Sequence, residues 1–119
     1  MGNAWPKIWG KNTEIYQNES TSVNVLNLVK GGTCSLHHHK FKANIFYVIN
    51  GKLKVRTEMG EEILLPGQSF QIAPLLKHQF EAMEESVVVE IMFVKYNASD
   101  IVRENEGFVQ DYGKEKENG

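Results

Sequence analysis

Hydrophobic and polar positions alternate along most of the chain in runs too short for helices. Residues 23–30 form the first clear run, closed by Gly31-Gly32, and residues 33–39 form the second. Residues 45–49 follow, then Asn50-Gly51, then residues 52–57. Residues 61–65 end at Pro66-Gly67, residues 68–73 run to Pro74, residues 77–82 are short, and residues 87–94 are the most apolar segment. Short runs punctuated by Gly and Pro are the mark of an all-β sandwich or barrel. Two such runs flanking Asn50-Gly51 predict a hairpin there, because both residues of a tight hairpin turn take positive φ. No long stretch repeats apolar residues at helical spacing. Residues 99–103 have the length of one helical turn, with Ser99 as its cap. Residues 1–20 read as an irregular arm with Trp5, Ile8, Trp9, Ile15 and Tyr16 available to pack, and residues 113–119 as a frayed, charged tail. The expected organisation is one domain over residues 1–119, with a core of about 21–96, an N-terminal arm and a C-terminal segment from 97.

Side chains of a strand alternate faces, so parity decides which can meet. A two-residue turn at Asn50-Gly51 sets Ile49 opposite Lys52 and Phe46 opposite Val55. One face then carries Asn44, Phe46, Val48, Leu53 and Val55, and the other Ile45, Tyr47, Ile49, Lys52, Lys54 and Arg56. The first is the core face, which points Asn44 inward and requires a partner for its amide. Within residues 33–39, Thr33, Ser35, His37 and His39 share one face, and Cys34, Leu36 and His38 the other. His78, Phe80 and Ala82 point inward together. In the last run Val87, Val89, Ile91 and Phe93 form the more apolar face, which places Glu90 on the opposite one.

Composition narrows the function. The 119 residues carry 13 Lys plus Arg against 15 Asp plus Glu, a net charge of −2. With Arg56 and Arg103 as its two arginines, the chain lacks the basic stripe that nucleic acid requires. No apolar run approaches the roughly 20 residues of a membrane span. Residues 1–6 show no apolar signal core after a basic start, and the lone Cys34 forms no internal disulfide, so the expected location is the cytoplasm.

Parity directs three imidazoles to one interior: His37 and His39 as a His-x-His pair, and His78 from a later strand. Neutral imidazole ligates Zn, Fe, Mn, Ni and Cu ions. Two histidines at i and i+2 project the same way, and a third leaves coordination positions open for water or substrate. Asn44 offers a neutral carbonyl oxygen to the same site. The opposing interpretation is an exposed run, His37-His38-His39, with His78 a satisfied core histidine; the joint pattern favours the metal.

These residues resemble the cupin motifs. Gly31, five intervening residues, His37, one residue, His39, four residues, Asn44, six residues and Gly51 reproduce the spacing of the first motif, with Asn44 where that motif has glutamate. Pro66-Gly67, Phe70, Ile72, Pro74 and His78 resemble the second. A narrower resemblance is to type II mannose-6-phosphate isomerases and the related cupin domains of mannose-1-phosphate guanylyltransferases. It rests on Trp9-Gly10 with Glu14, the triple histidine, Lys77-His78-Gln79-Phe80-Glu81, and the ending Asp100-Ile101-Val102-Arg103 with Asp111-Tyr112-Gly113. Ala73-Pro74-Leu75-Leu76 departs from the Pro-Ala-Gly that these proteins usually have before the second-motif histidine.

The resemblance implies a double-stranded β-helix, the cupin jelly-roll barrel, with a short N-terminal arm and a short C-terminal helical turn and tail. It implies a divalent transition metal (Zn, Fe, Mn or Ni) held by His37, His39, His78 and Asn44. It also implies metal-assisted aldose–ketose isomerisation of a sugar phosphate, and a homodimer. Such a reaction needs a base and a cation for phosphate. Glu90, a carboxylate amid an apolar strand and at a position where similar isomerases carry Glu, is the candidate base, although parity turns it from the more apolar face and the alternative is a paired structural carboxylate. Arg103 is the candidate phosphate ligand, with Lys77 second. Two other functions fit the same residues: a non-catalytic metal- or sugar-binding module, and an oxygen-using three-histidine iron enzyme.

Overall fold

The computed structural model describes residues 3–94, 107, 109 and 110. Nine strands run in order: β1 Asn3–Lys7, β2 Gly10–Gln17, β3 Thr21–Leu28, β4 Ala43–Asn50, β5 Leu53–Thr57, β6 Gly60–Leu64, β7 Ser69–Ile72, β8 His78–Ala82 and β9 Ser86–Phe93. They build a six-stranded sheet, β1-β2-β3-β9-β4-β7, and a three-stranded sheet, β6-β5-β8. All pairings between strands are antiparallel. Among the described residues there is no helix, and so none long and apolar enough to cross a membrane. The expected helical turn at 99–103 and the tail lie outside the described residues.

The architecture is the all-β jelly roll that the turn signals pointed to, with two corrections. Residues 3–17 are not an irregular arm but the β1–β2 hairpin, which extends the large sheet through β2–β3 pairing such as Thr13 with Val25. Trp9, at the tip of that hairpin, packs against the core and meets Phe80 edge-on at 5.4 Å. The sequence hid these strands because Asn3–Lys7 is exposed throughout and Lys11–Glu14 is mostly polar, so neither shows a buried face.

The second correction concerns Asn50-Gly51. Strands β4 and β5 do not pair: β4 lies between β9 and β7, whereas β5 lies between β6 and β8. The turn therefore carries the chain from one sheet to the other. Gly51 sits there at φ +91°, and a Cβ at this position would come within 2.2 Å of Ser86 Oγ. Ser86 Oγ in turn accepts from Lys52 N at 3.0 Å, which fixes the crossing. The Pro66-Gly67 turn is as expected, with Gly67 at φ +86° and Gln68 N bonded to Leu65 O at 3.0 Å.

Parity nevertheless gave the correct core face, because the two sheets pack their inner faces together. Phe46, Val48, Leu53, Val55, Phe80 and Val88 are each at most 4% exposed and belong to one cluster with Leu26, Leu28, Leu64 and Ile72. Each such side chain contributes on the order of 1.5–3 kcal/mol by leaving water. For β9 the expectation is reversed. Ser86 and Val88 are the buried residues, so the even positions, Glu90 and Met92 included, face the interior. Val87, Val89, Ile91 and Phe93 form the half-buried outer face instead.

Candidate metal centre

His78 opens β8, and its backbone exchanges two hydrogen bonds with His37: His37 N donates to His78 O at 3.1 Å and His78 N to His37 O at 2.9 Å. Residues 33–39 form no continuous strand. They touch β8 through two isolated bridges, Thr33 with Glu81 and His37 with His78. This broken geometry explains a further departure from parity. Cys34 is not on an outward face with Leu36; it is buried in the core, where its Sγ accepts from Phe80 N. Burial raises the Cys34 thiol pKa, which keeps it protonated and away from metal chemistry.

His37, His39 and His78 converge as expected, with one ring nitrogen of each lying within 4.8 Å of the others. Their ring centroids are 4.4–5.6 Å apart. His78 Nδ1 pairs with Leu76 O at 3.0 Å and His37 Nδ1 with Ser35 O at 2.8 Å. A carbonyl only accepts, so each Nδ1 carries the proton and each Nε2 presents a lone pair. This is the arrangement by which outer partners fix a metal-ligating imidazole. His78 Nε2 and His39 Nε2 are buried without a hydrogen-bond partner. Burial is the main reason His78 and His39 have lowered pKa values, and neighbouring imidazoles add to it. Both effects favour the neutral form that binds metal. His38 is exposed and outside the cluster.

Asn44 is fully buried on β4. Its Nδ2 donates to Glu90 Oε2 at 2.9 Å, and its Oδ1 is buried with no partner. Glu90 lies deep enough that burial raises its pKa, offset in part by the Asn44 amide and by the nearby His37. The pairing of β4 with β9 explains the contact: Asn44 stands opposite Met92 and Phe46 opposite Glu90, so the amide reaches one pair along the same inner face. A carboxylate embedded in a valine run was the sequence signal; which face it occupied was the part misread.

The donor set fits a divalent ion. Three imidazoles whose ring nitrogens lie within 4.8 Å of one another are ligands suited to a first-row transition metal bonded at about 2.0–2.1 Å. A buried polar atom without a partner is costly, and here two of them, His39 Nε2 and His78 Nε2, sit in one cluster. A cavity of about 60 Å³ at the β2–β3 turn is lined by residues including Glu19, Ser22, Lys42 and Met92. Lys42 was not singled out in the sequence, yet its charge acts on His39. Lys77 is exposed, and Arg103, like Tyr112, lies outside the described residues.

A family model for the cupin domain matches residues 24–95. No curated protein matches the chain. Among solved structures, KdgF from Halomonas sp. is similar at TM-score 0.67 and 21% identity, over 72% of this chain and 81% of that one. An RmlC-like cupin from Shewanella frigidimarina is similar at TM-score 0.66 and 19% identity, over 86% and 84%. A variant of oxalate decarboxylase from Bacillus subtilis aligns at TM-score 0.67 and 22% identity, over 78% of this chain and 27% of the enzyme. At these identities the likeness is one of fold, and together with the family match over residues 24–95 it establishes that the chain belongs to the cupin domain family.

Proposed function

We propose that this cupin holds a divalent transition metal on His37, His39 and His78, with Asn44 Oδ1 completing the set. We propose further that it catalyses aldose–ketose isomerisation of a sugar phosphate or related carbohydrate. The observation that carries this reading is the carboxyl of Glu90 on the inner face of β9, bonded to Asn44 and near enough to His37 for the two to interact electrostatically. The metal, when bound, polarises the carbonyl and hydroxyl oxygens at the reacting carbons. Glu90 Oε2 is engaged by Asn44, and Oε1 is the oxygen that takes the proton from one carbon and returns it to the next. Lys42, close enough for its charge to act on His39, supplies a positive charge for a phosphate. Arg103, in the ending that resembles that of the isomerases, offers a second.

The neutral Asn44 where a glutamate would be expected favours one other reading, a metal- or sugar-binding module without turnover. Incubating the metal-loaded protein with mannose 6-phosphate in deuterated water separates the two. Ketose formation with deuterium entering the adjacent carbon supports the isomerase. Bound metal with neither product nor exchange across a hexose-phosphate series leaves the binding module.

A further inference from the structure

We infer that Glu90 is a positioning residue for the metal as well as a proton carrier. Its Oε2 captures the Asn44 amide N–H and so turns Oδ1 toward the ion. The inference rests on the proposed metal site and deepens it. An amide has one accepting end and one donating end, and either can be rotated toward a ligand by a half-turn about its last bond. A carboxylate beside it removes that freedom, since only the NH₂ end can donate to it. The 2.9 Å bond from Nδ2 to Oε2 thus selects one of two orientations, and the end left over is the buried, unpaired Oδ1. No other side chain bonds this amide among the described residues. The negative charge that a glutamate at position 44 would bring to the ion is here one step removed, on β9. Outer partners of this kind typically set metal affinity by 10–100-fold.

The carboxylate's two oxygens give a test that separates orientation from proton transfer. Glu90→Gln keeps an oxygen for the Asn44 N–H but removes the base. Glu90→Leu keeps the volume and removes the acceptor. With Co²⁺ as the probe, read by its visible d–d spectrum and by titration calorimetry, Glu90→Leu is expected to shift the spectrum and weaken binding by about 10-fold or more. The Asn44→Ala spectrum should match it, and the Asn44→Ala, Glu90→Leu double variant should bind no worse than Asn44→Ala alone. Glu90→Gln should retain the wild-type spectrum. Three results overturn the inference: a wild-type spectrum in Glu90→Leu, equal losses in the Gln and Leu variants (which would assign the effect to charge), or additive losses in the double variant. If Glu90→Leu unfolds on its own, Glu90→Met, which also lacks the acceptor, takes its place with the same outcomes. Failure of the wild type to bind Co²⁺ overturns both this inference and the metal site. Failure to isomerise any sugar while the Co²⁺ series behaves as expected overturns only the proposed reaction.

Discussion

His37 and His78 face each other across a two-bond backbone bridge, with N···O distances of 3.1 and 2.9 Å in the two directions. The bridge is isolated: neither a strand before it nor a ladder after it on the His37 side extends the pairing. Two ligands from chain positions 41 residues apart (78 − 37) are thereby fixed at the backbone, not only through their side chains. The third, His39, is tied in by its carbonyl, which accepts from Leu75 N at 2.7 Å.

Leu75 holds that bond at a cost. Its φ of +72° makes it the single non-glycine residue with positive φ among the described residues, and its side chain is 64% exposed. Left-handed backbone costs an ordinary L-residue about 1–2 kcal/mol, part of which glycine forfeits again through the greater freedom of its unfolded chain. Leu75→Gly should therefore raise stability by up to about 1 kcal/mol in urea titration and leave metal affinity unchanged. A loss of stability would show that the exposed side chain contributes packing that outweighs the strain.

Asn44→Glu restores the charged ligand of the related motif but sets it against Glu90, which now accepts from the Asn44 amide. Two buried carboxylates at hydrogen-bond distance repel, so the metal-free variant should melt several degrees below wild type. Metal should bind this variant more tightly and stabilise it more than it stabilises wild type. Equal stabilisation of both proteins by saturating metal would place position 44 away from the ion.

The histidines and Glu90 should make the stability of the metal-free protein depend on pH in opposite senses. Burial holds His39 and His78 below the ordinary value of 6.5, so between those lowered values and 6.5 the unfolded chain binds more protons. Their contribution to stability is intact above 6.5 and declines as pH falls through that window. Glu90, raised by burial above 4.5, binds its proton more tightly when folded, so its contribution declines as pH rises from 4.5. Glu90→Gln removes that second part. The Tm difference between Glu90→Gln and wild type should move in favour of the variant as pH climbs from 4.5, while the variant itself loses stability below 6.5. A difference that stays constant to neutral pH would mean that Glu90 titrates alike in both states.

Gly51→Ala tests the sheet crossing. Its Cβ would meet Ser86 Oγ at 2.2 Å and Glu85 O at 2.5 Å, at a φ that L-residues rarely adopt. The expected loss is at least about 1–3 kcal/mol in chemical denaturation. A loss below about half a kcal/mol would mean that the Ser86 clamp yields freely.

Much of this was legible in the residues. The spacing of His37, His39 and His78 located the cluster, and the alternation through Phe46, Val48, Leu53 and Val55 located the core. What misled was local. Asn50-Gly51 carries the strongest short-range hairpin signal, but a turn signal does not say whether the following strand returns beside its neighbour or joins the opposite sheet. Val87, Val89, Ile91 and Phe93 outweigh Ser86, Val88, Glu90 and Met92 in hydrophobicity, yet the large sheet is apolar on both faces there, so apolarity could not identify the inner one. The β1–β2 hairpin is held by sheet pairing and by Trp9, neither of which produces an alternating pattern.

The most direct test is elemental analysis of the purified, untagged protein beside His37→Ala, His39→Ala and His78→Ala, each first shown to be folded. Near one equivalent of a divalent transition metal in the wild type, and a loss of most of it in every variant, is the predicted result. Metal content that is unchanged across all four proteins, or negligible in a wild type dialysed against Zn, Fe, Mn or Ni, would contradict a shared three-imidazole centre.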